Sequence, residues 1–105
     1  MPYYLCRLLP PRPSFARDMT EPEGQVMQVH GAYWRGLADK EIAVVFGPVG
    51  DAQAPWGLGL LEVEDEEEAQ AIASEDPAIK SGLGFRYEIF PMMRAILRNS
   101  LERRT

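Results

Sequence analysis

Apolar positions along the chain fall into short runs with distinct periods. Residues 3–9, YYLCRLL, are an apolar run of strand length. Pro10, Pro11 and Pro13 then remove backbone donors and fix the backbone, so a stiff loop follows. Thr20 followed three residues later by Glu23 predicts a capping box, and Pro22 suits a first turn, so a helix is expected over residues 21–39. At about 100° per residue, Val26, Val29, Tyr33 and Leu37 share one side of that helix. Met27 and Trp34 lie at its edge, and Gln25, Gln28, Arg35 and Asp39 lie opposite. Residues 42–47, IAVVFG, predict a second strand, residues 47–57, GPVGDAQAPWG, a loop, and residues 58–63, LGLLEV, a third strand. Asp65 caps a second helix with Glu68 at the reciprocal position, and Ala69, Ile72 and Ala73 form its stripe. Asp76-Pro77 ends it, because a residue before proline avoids the helical region. Residues 84–90, GFRYEIF, predict a fourth strand with Phe85, Tyr87 and Ile89 on one face, broken by Pro91. Met93, Leu97 and Leu101 recur every four residues and predict a short C-terminal helix.

The order β-α-β-β-α-β suits an α+β, ferredoxin-like antiparallel sheet with both helices on one face. A sheet with one wet face should alternate polar and apolar residues. IAVVF does not alternate, and YYLC barely does. Two helices cover one face only, so the other is expected to pack on a second subunit, or beneath the C-terminal helix. Residues 1–91 are read as one domain and 92–105 as a basic tail. Residues 1–90 carry seven basic and fifteen acidic groups, a net of -8; residues 91–105 carry four arginines and one glutamate, a net of +3.

Composition bounds the rest. The 105 residues suffice for one domain, and 46% hydrophobic with 26% charged residues indicates a folded, globular chain. The net charge of -5 argues against nucleic acid as a partner. No apolar run approaches membrane-spanning length and the N-terminus lacks a signal-peptide pattern, so no membrane association and a cytoplasmic location are expected. Cys6 is a single cysteine in a strand and reads as a small buried hydrophobe. No G-x-S-x-G, G-x-G-x-x-G, P-loop or zinc spacing occurs, so neither metal nor cofactor is expected.

His30 is the single histidine, and it projects near the middle of the apolar arc of the first helix. A neutral imidazole placed there needs a partner for its N–H. A carboxylate partner would make it an acid-base group, whereas a bond to backbone would make it a core residue. Glu62, Glu64, Glu66, Glu67 and Glu68 belong to an acidic run at a helix start, where they favour the helix dipole. Asp76 stands at a turn, where a short carboxylate often bonds nearby backbone. Spacing alone does not choose among them.

The ordered set HGAYWRGL (30–37), GPVGD (47–51), WGLGLLEV (56–63), EDEEEAQAI and SEDPAIKSGLGFRYEIFP (74–91) resembles the YCII-related family. The resemblance implies a ferredoxin-like fold of the dimeric α/β barrel type, paired through its sheets. It also implies an active site with a histidine from the first helix and an aspartate from the Asp-Pro turn, which fall on His30 and Asp76. One branch of the family resembles dehydrochlorinases of chlorinated hydroxyquinols. Relatives usually carry a glycine in the turn where this chain has ADKEIA, and the basic tail exceeds the family core.

With that resemblance, the expected function is a cofactor-independent lyase or isomerase that moves a proton on a small cyclic or anionic molecule. His30 would act as general base or acid, and Asp76 would orient it. Gly47, Pro48 and Trp56 would bind substrate, with glycine permitting close approach and Trp56 offering a flat wall or simply packing beneath the loop. The alternative is a non-catalytic small-molecule-binding or accessory module on the same dimeric barrel. Both readings expect a small-molecule ligand and a homodimer or higher homo-oligomer.

Overall fold

The computed structural model describes residues 1–99. Eight elements follow in order: β1 (Tyr3–Leu9), α1 (Phe15–Asp18), α2 (Glu21–Asp39), β2 (Ala43–Val49), β3 (Trp56–Glu62), α3 (Glu66–Glu75), α4 (Pro77–Lys80) and β4 (Arg86–Pro91). The strands form one four-stranded antiparallel sheet in the order β2-β3-β1-β4, not a closed barrel.

The capping box forms as its sequence predicts. Thr20 accepts from the Glu23 N–H, and the Glu23 carboxylate accepts from the Thr20 N–H. At its other end, α2 closes with a Schellman pattern: the Ile42 N–H bonds Leu37 O and the Glu41 N–H bonds Ala38 O. Glu41 therefore stands in the left-handed region, φ 62°, at the turn where glycine was expected of relatives. Asp65 caps α3 through the Glu68 N–H, but the Glu68 carboxylate reaches back to the Glu64 N–H rather than to the cap residue.

Period-two alternation sorts the sheet into two faces. On the helix side Tyr4, Cys6 and Leu8 of β1 pair across to Leu61 and Gly59 on β3 and to Ile89 and Tyr87 on β4. Trp34 and Leu37 of α2 and Ala69 of α3 close this core. A second cluster joins Leu8, Phe15, Ala78 and Phe85, with the Phe15 and Phe85 rings edge to face. Cys6 is fully buried in the first of these clusters, and burial pushes its thiol up to about 12. The other face carries Leu5, Leu60, Val45 and Phe90 in one row across the strands, with Val45 and Phe90 about half exposed.

Several expectations are corrected. Val29 is 54% exposed, while Trp34 is at the centre of the buried stripe rather than its edge. The stripe runs through residues 23, 27, 30, 34 and 37, the positions spaced three and four apart that look down on the sheet. Gly47 and Pro48 extend β2 instead of opening the loop, and Trp56 begins β3, so the loop shrinks to residues 50–55. Pro91 is the last residue of β4 rather than its breaker. Both prolines lie in edge strands, where a missing N–H breaks no ladder bond. Residues 92–98 form no helix and Met93 is fully exposed, while Leu101 lies outside the described residues. Among the described residues no helix is long and apolar enough to cross a membrane.

Candidate active site

Two cap geometries place one carboxylate. α3 stops at Asp76, whose ψ of 129° before Pro77 turns the chain away from the helix. The same residue caps α4: its Oδ1 accepts the Ala78 N–H at 2.9 Å. The turn thus fixes Asp76 between α3 and α4, facing α2, and its side chain is fully buried.

His30 arrives from the middle of α2. Its Nδ1 lies 2.8 Å from Asp76 Oδ2 and 3.1 Å from Oδ1. The partner left open by the sequence is therefore the turn aspartate, not backbone and not the acidic run at the start of α3. Two further donors converge on Asp76 Oδ2: Trp34 Nε1–H at 3.0 Å and the Tyr87 hydroxyl. The Trp34 N–H also points at Tyr87 Oη, 2.9 Å away. Burial alone would raise the Asp76 carboxyl, but the bonds from His30, Tyr87 and the Ala78 N–H outweigh it and hold the group below its ordinary value. Burial and the adjacent carboxylate push the Tyr87 hydroxyl up, so it stays protonated and donates.

A cavity of about 330 Å³ opens between α2 and the sheet, and the His30 ring is part of its wall. Leu8, Phe15, Met27, Trp34, Phe46 and Phe85 supply much of the rest. Gly47, Pro48 and Trp56 also line it. The Trp56 ring itself is held on the Arg7 side of the sheet, its Nε1–H on Asp51 Oδ2 at 3.2 Å and the Arg7 guanidinium 4.8 Å from its centre. Among the described residues, no lysine or arginine lines the cavity. Among the described residues, no three of His, Cys, Asp and Glu converge as a metal site would require.

The segment 10–19 forms one wall, contributing Pro10, Phe15, Ala16 and Met19. Arg12 ties it down with a two-pronged bond to Glu23, both at 2.8 Å, and two more to Asp18. That guanidinium and the Thr20 N–H hold the Glu23 carboxyl down at about 2.

The sequence brings His30 and Asp76 forward but places Trp34 only at the edge of the apolar arc and Tyr87 only on one face of its strand, with no role at the site. A signal was present for both. Tyr87 shares the inward face of its strand, and a buried tyrosine hydroxyl or indole N–H requires a polar partner. Trp34 lies one helical turn beyond His30.

The YCII-related domain model matches residues 3–93, and the chain belongs to that family. No curated protein is similar enough in sequence to count as a relative. The fold is similar to that of 5-chloro-2-hydroxyhydroquinone dehydrochlorinase (TftG) from Burkholderia phenoliruptrix AC1100, solved in complex with 2,5-dihydroxybenzoquinone. That likeness has a TM-score of 0.62 at 20% identity and covers 90% of this chain and 96% of the other.

Proposed function

From membership of the YCII-related family, we propose that this protein is a small-molecule lyase or isomerase that needs no cofactor and moves a proton with His30. The carrying observation is the 2.8 Å bond from His30 Nδ1 to a fully buried carboxylate, with the same ring forming cavity wall. Asp76 accepts the Nδ1–H, so the Nε2 lone pair is the group available to a ligand. His30 takes a proton from the ligand through Nε2, and the adjacent carboxylate stabilises the imidazolium that forms. The proton returns to a different atom of the ligand in an isomerisation, or leaves with a departing group in an elimination.

The cavity narrows the ligand class. Apolar and aromatic walls without lysine or arginine favour a flat, uncharged ring over a carboxylate or phosphate. The dehydrochlorinase of similar fold was solved with a small ring compound, which supports the same class here. Gly47, Pro48 and Trp56 are assigned to ligand contact. The fold reading is ferredoxin-like, supported by the strand order, and the exposed apolar sheet face is assigned to a second copy of the chain.

The same apolar lining suits a binding module that performs no chemistry, and one experiment separates the two. Substituted phenols and quinones are screened by thermal shift on the wild-type chain and on His30→Ala, and ligands that bind are incubated in deuterated buffer. The enzyme reading expects weaker stabilisation of His30→Ala and deuterium entering the ligand with wild type alone. Equal stabilisation of both proteins without deuterium uptake would leave the binding module.

A further inference from the structure

The carboxylate beneath His30 is itself held by groups outside the proton-transfer pair. The Trp34 ring lies directly over Gly59 of β3. A Cβ at position 59 would fall 2.3 Å from Trp34 Cη2 and 2.5 Å from Cζ3, too close for any side chain without moving the ring. Trp34 is 1% exposed and seated against backbone, so its indole N–H has a fixed direction. That direction leads to Asp76 Oδ2 at 3.0 Å and Tyr87 Oη at 2.9 Å, while the Tyr87 hydroxyl donates to the same Oδ2.

The consequence concerns which ring nitrogen carries the proton. A carboxylate offers about four acceptor sites, and here four donor groups face it, from Trp34, Tyr87, His30 and Ala78. A protonated Asp76 would donate to His30 Nδ1 and turn Nε2 into an N–H, making the cavity-facing atom an acid. Trp34 and Tyr87 both donate to Oδ2 and the Ala78 N–H donates to Oδ1; three such bonds favour the ionised carboxylate over the carboxylic acid, so the remaining acceptor site takes the proton of His30 Nδ1.

We propose that Gly59, Trp34 and Tyr87 are positioning residues that lock the Asp76 carboxylate, and thereby hold His30 in the Nδ1–H tautomer with Nε2 as the free base. This rests on the His30–Asp76 reading above and extends it to three further residues of the cavity wall, whose proposed role runs through Asp76. Gly59 leaves room for the indole, the indole orients Tyr87 and Asp76 together, and the carboxylate sets the tautomer.

The single histidine makes the test direct, because the full-length 15N-labelled chain gives one set of imidazole nitrogens in a two-bond proton–nitrogen correlation spectrum. At a pH where the ring is neutral, the wild-type chain is expected in the Nδ1–H form. Tyr87→Phe keeps the ring and removes one donor, and Trp34→Phe removes the indole N–H. Each is expected to raise the Nε2–H form roughly tenfold relative to the other tautomer, the effect of losing one charge-assisted hydrogen bond. Wild type in the Nε2–H form would overturn the dyad reading as well. Wild type in the Nδ1–H form, with folded variants that keep it unchanged, would overturn the positioning role alone. Should Trp34→Phe fail to fold, Tyr87→Phe decides. Fast solvent exchange of the Trp34 indole proton in wild type would also overturn the role.

Discussion

At the scale of the residue, Asp76 joins stability to the site. It caps α4, accepts from Tyr87 and Trp34, and holds His30, all without exposure to solvent. Asp76→Ala would leave the Tyr87 hydroxyl and the Ala78 N–H buried without their acceptor, at a cost of about 3 kcal/mol read from urea unfolding. The pH dependence has a definite sign. The folded carboxyl lies below its ordinary value, so the unfolded chain takes up that proton first. The stabilisation from Asp76 is complete above about pH 4 and is lost as pH falls toward the folded value. Glu23 titrates in the same acid range, held at about 2, so the measurement is the difference in unfolding free energy between wild type and Asp76→Asn. That difference should shrink below pH 4; a gap constant from pH 7 to 3 would remove Asp76 from the acid response. Half of this centre was legible in the sequence. A lone imidazole on an apolar helix face demands a partner, but 46 residues separate it from Asp76, and only the fold, or a resemblance that implies the fold, closes that distance.

At the scale of the element, propensity and capping were legible where they act locally. Thr20 and Glu23 define the start of α2 because both partners lie within one turn. The four-residue helices α1 and α4 escaped because so short a segment shows no period, and neighbours rather than propensity hold them: Phe15 packs on Phe85, and Ala78 is fully buried. The sequence places Pro48 in a loop because a proline's fit to a strand depends on β2 being an edge, which strand order decides. The segment 10–19 gives an element-scale prediction. Its ion pair with α2 runs through one guanidinium, beside the apolar packing of Phe15 near Val26 and Met27, so Arg12→Ala should loosen the wall formed by Phe15 and Met19. Faster amide exchange over residues 15–18 and weaker ligand affinity are expected, with the sheet amides unchanged. Unaltered exchange in that segment would show that the Phe15–Phe85 contact holds it without the arginine.

At the scale of the whole molecule, the described residues cover the sheet on one face only. On the other, Val45, Leu60, Leu5 and Phe90 run in one row across all four strands, and Leu58 lies in the next. In that second row Arg7 stacks over Trp56 with its Nη1 3.6 Å from Glu88, and its Nε is buried without a partner among the described residues. A continuous apolar row with a cation at its border is what an interface between copies presents, with an apolar centre and a polar rim. The face needs to bury about 800 Å² per copy to form a stable pair, an area within reach of a four-stranded sheet. Leu60 stands in the middle of the row, so Leu60→Glu would place a charge at the centre of each half of the interface. Wild type is expected to sediment as a dimer at micromolar concentration, and Leu60→Glu as a monomer with its far-ultraviolet circular dichroism preserved. Glu62→Lys, on the same face at the end of β3, serves as a control that should leave the dimer intact. A monomeric wild type would show that this face stays open. A dimer that survives Leu60→Glu would place the contact on another surface, and the burial that this apolar row demands would then need a different partner.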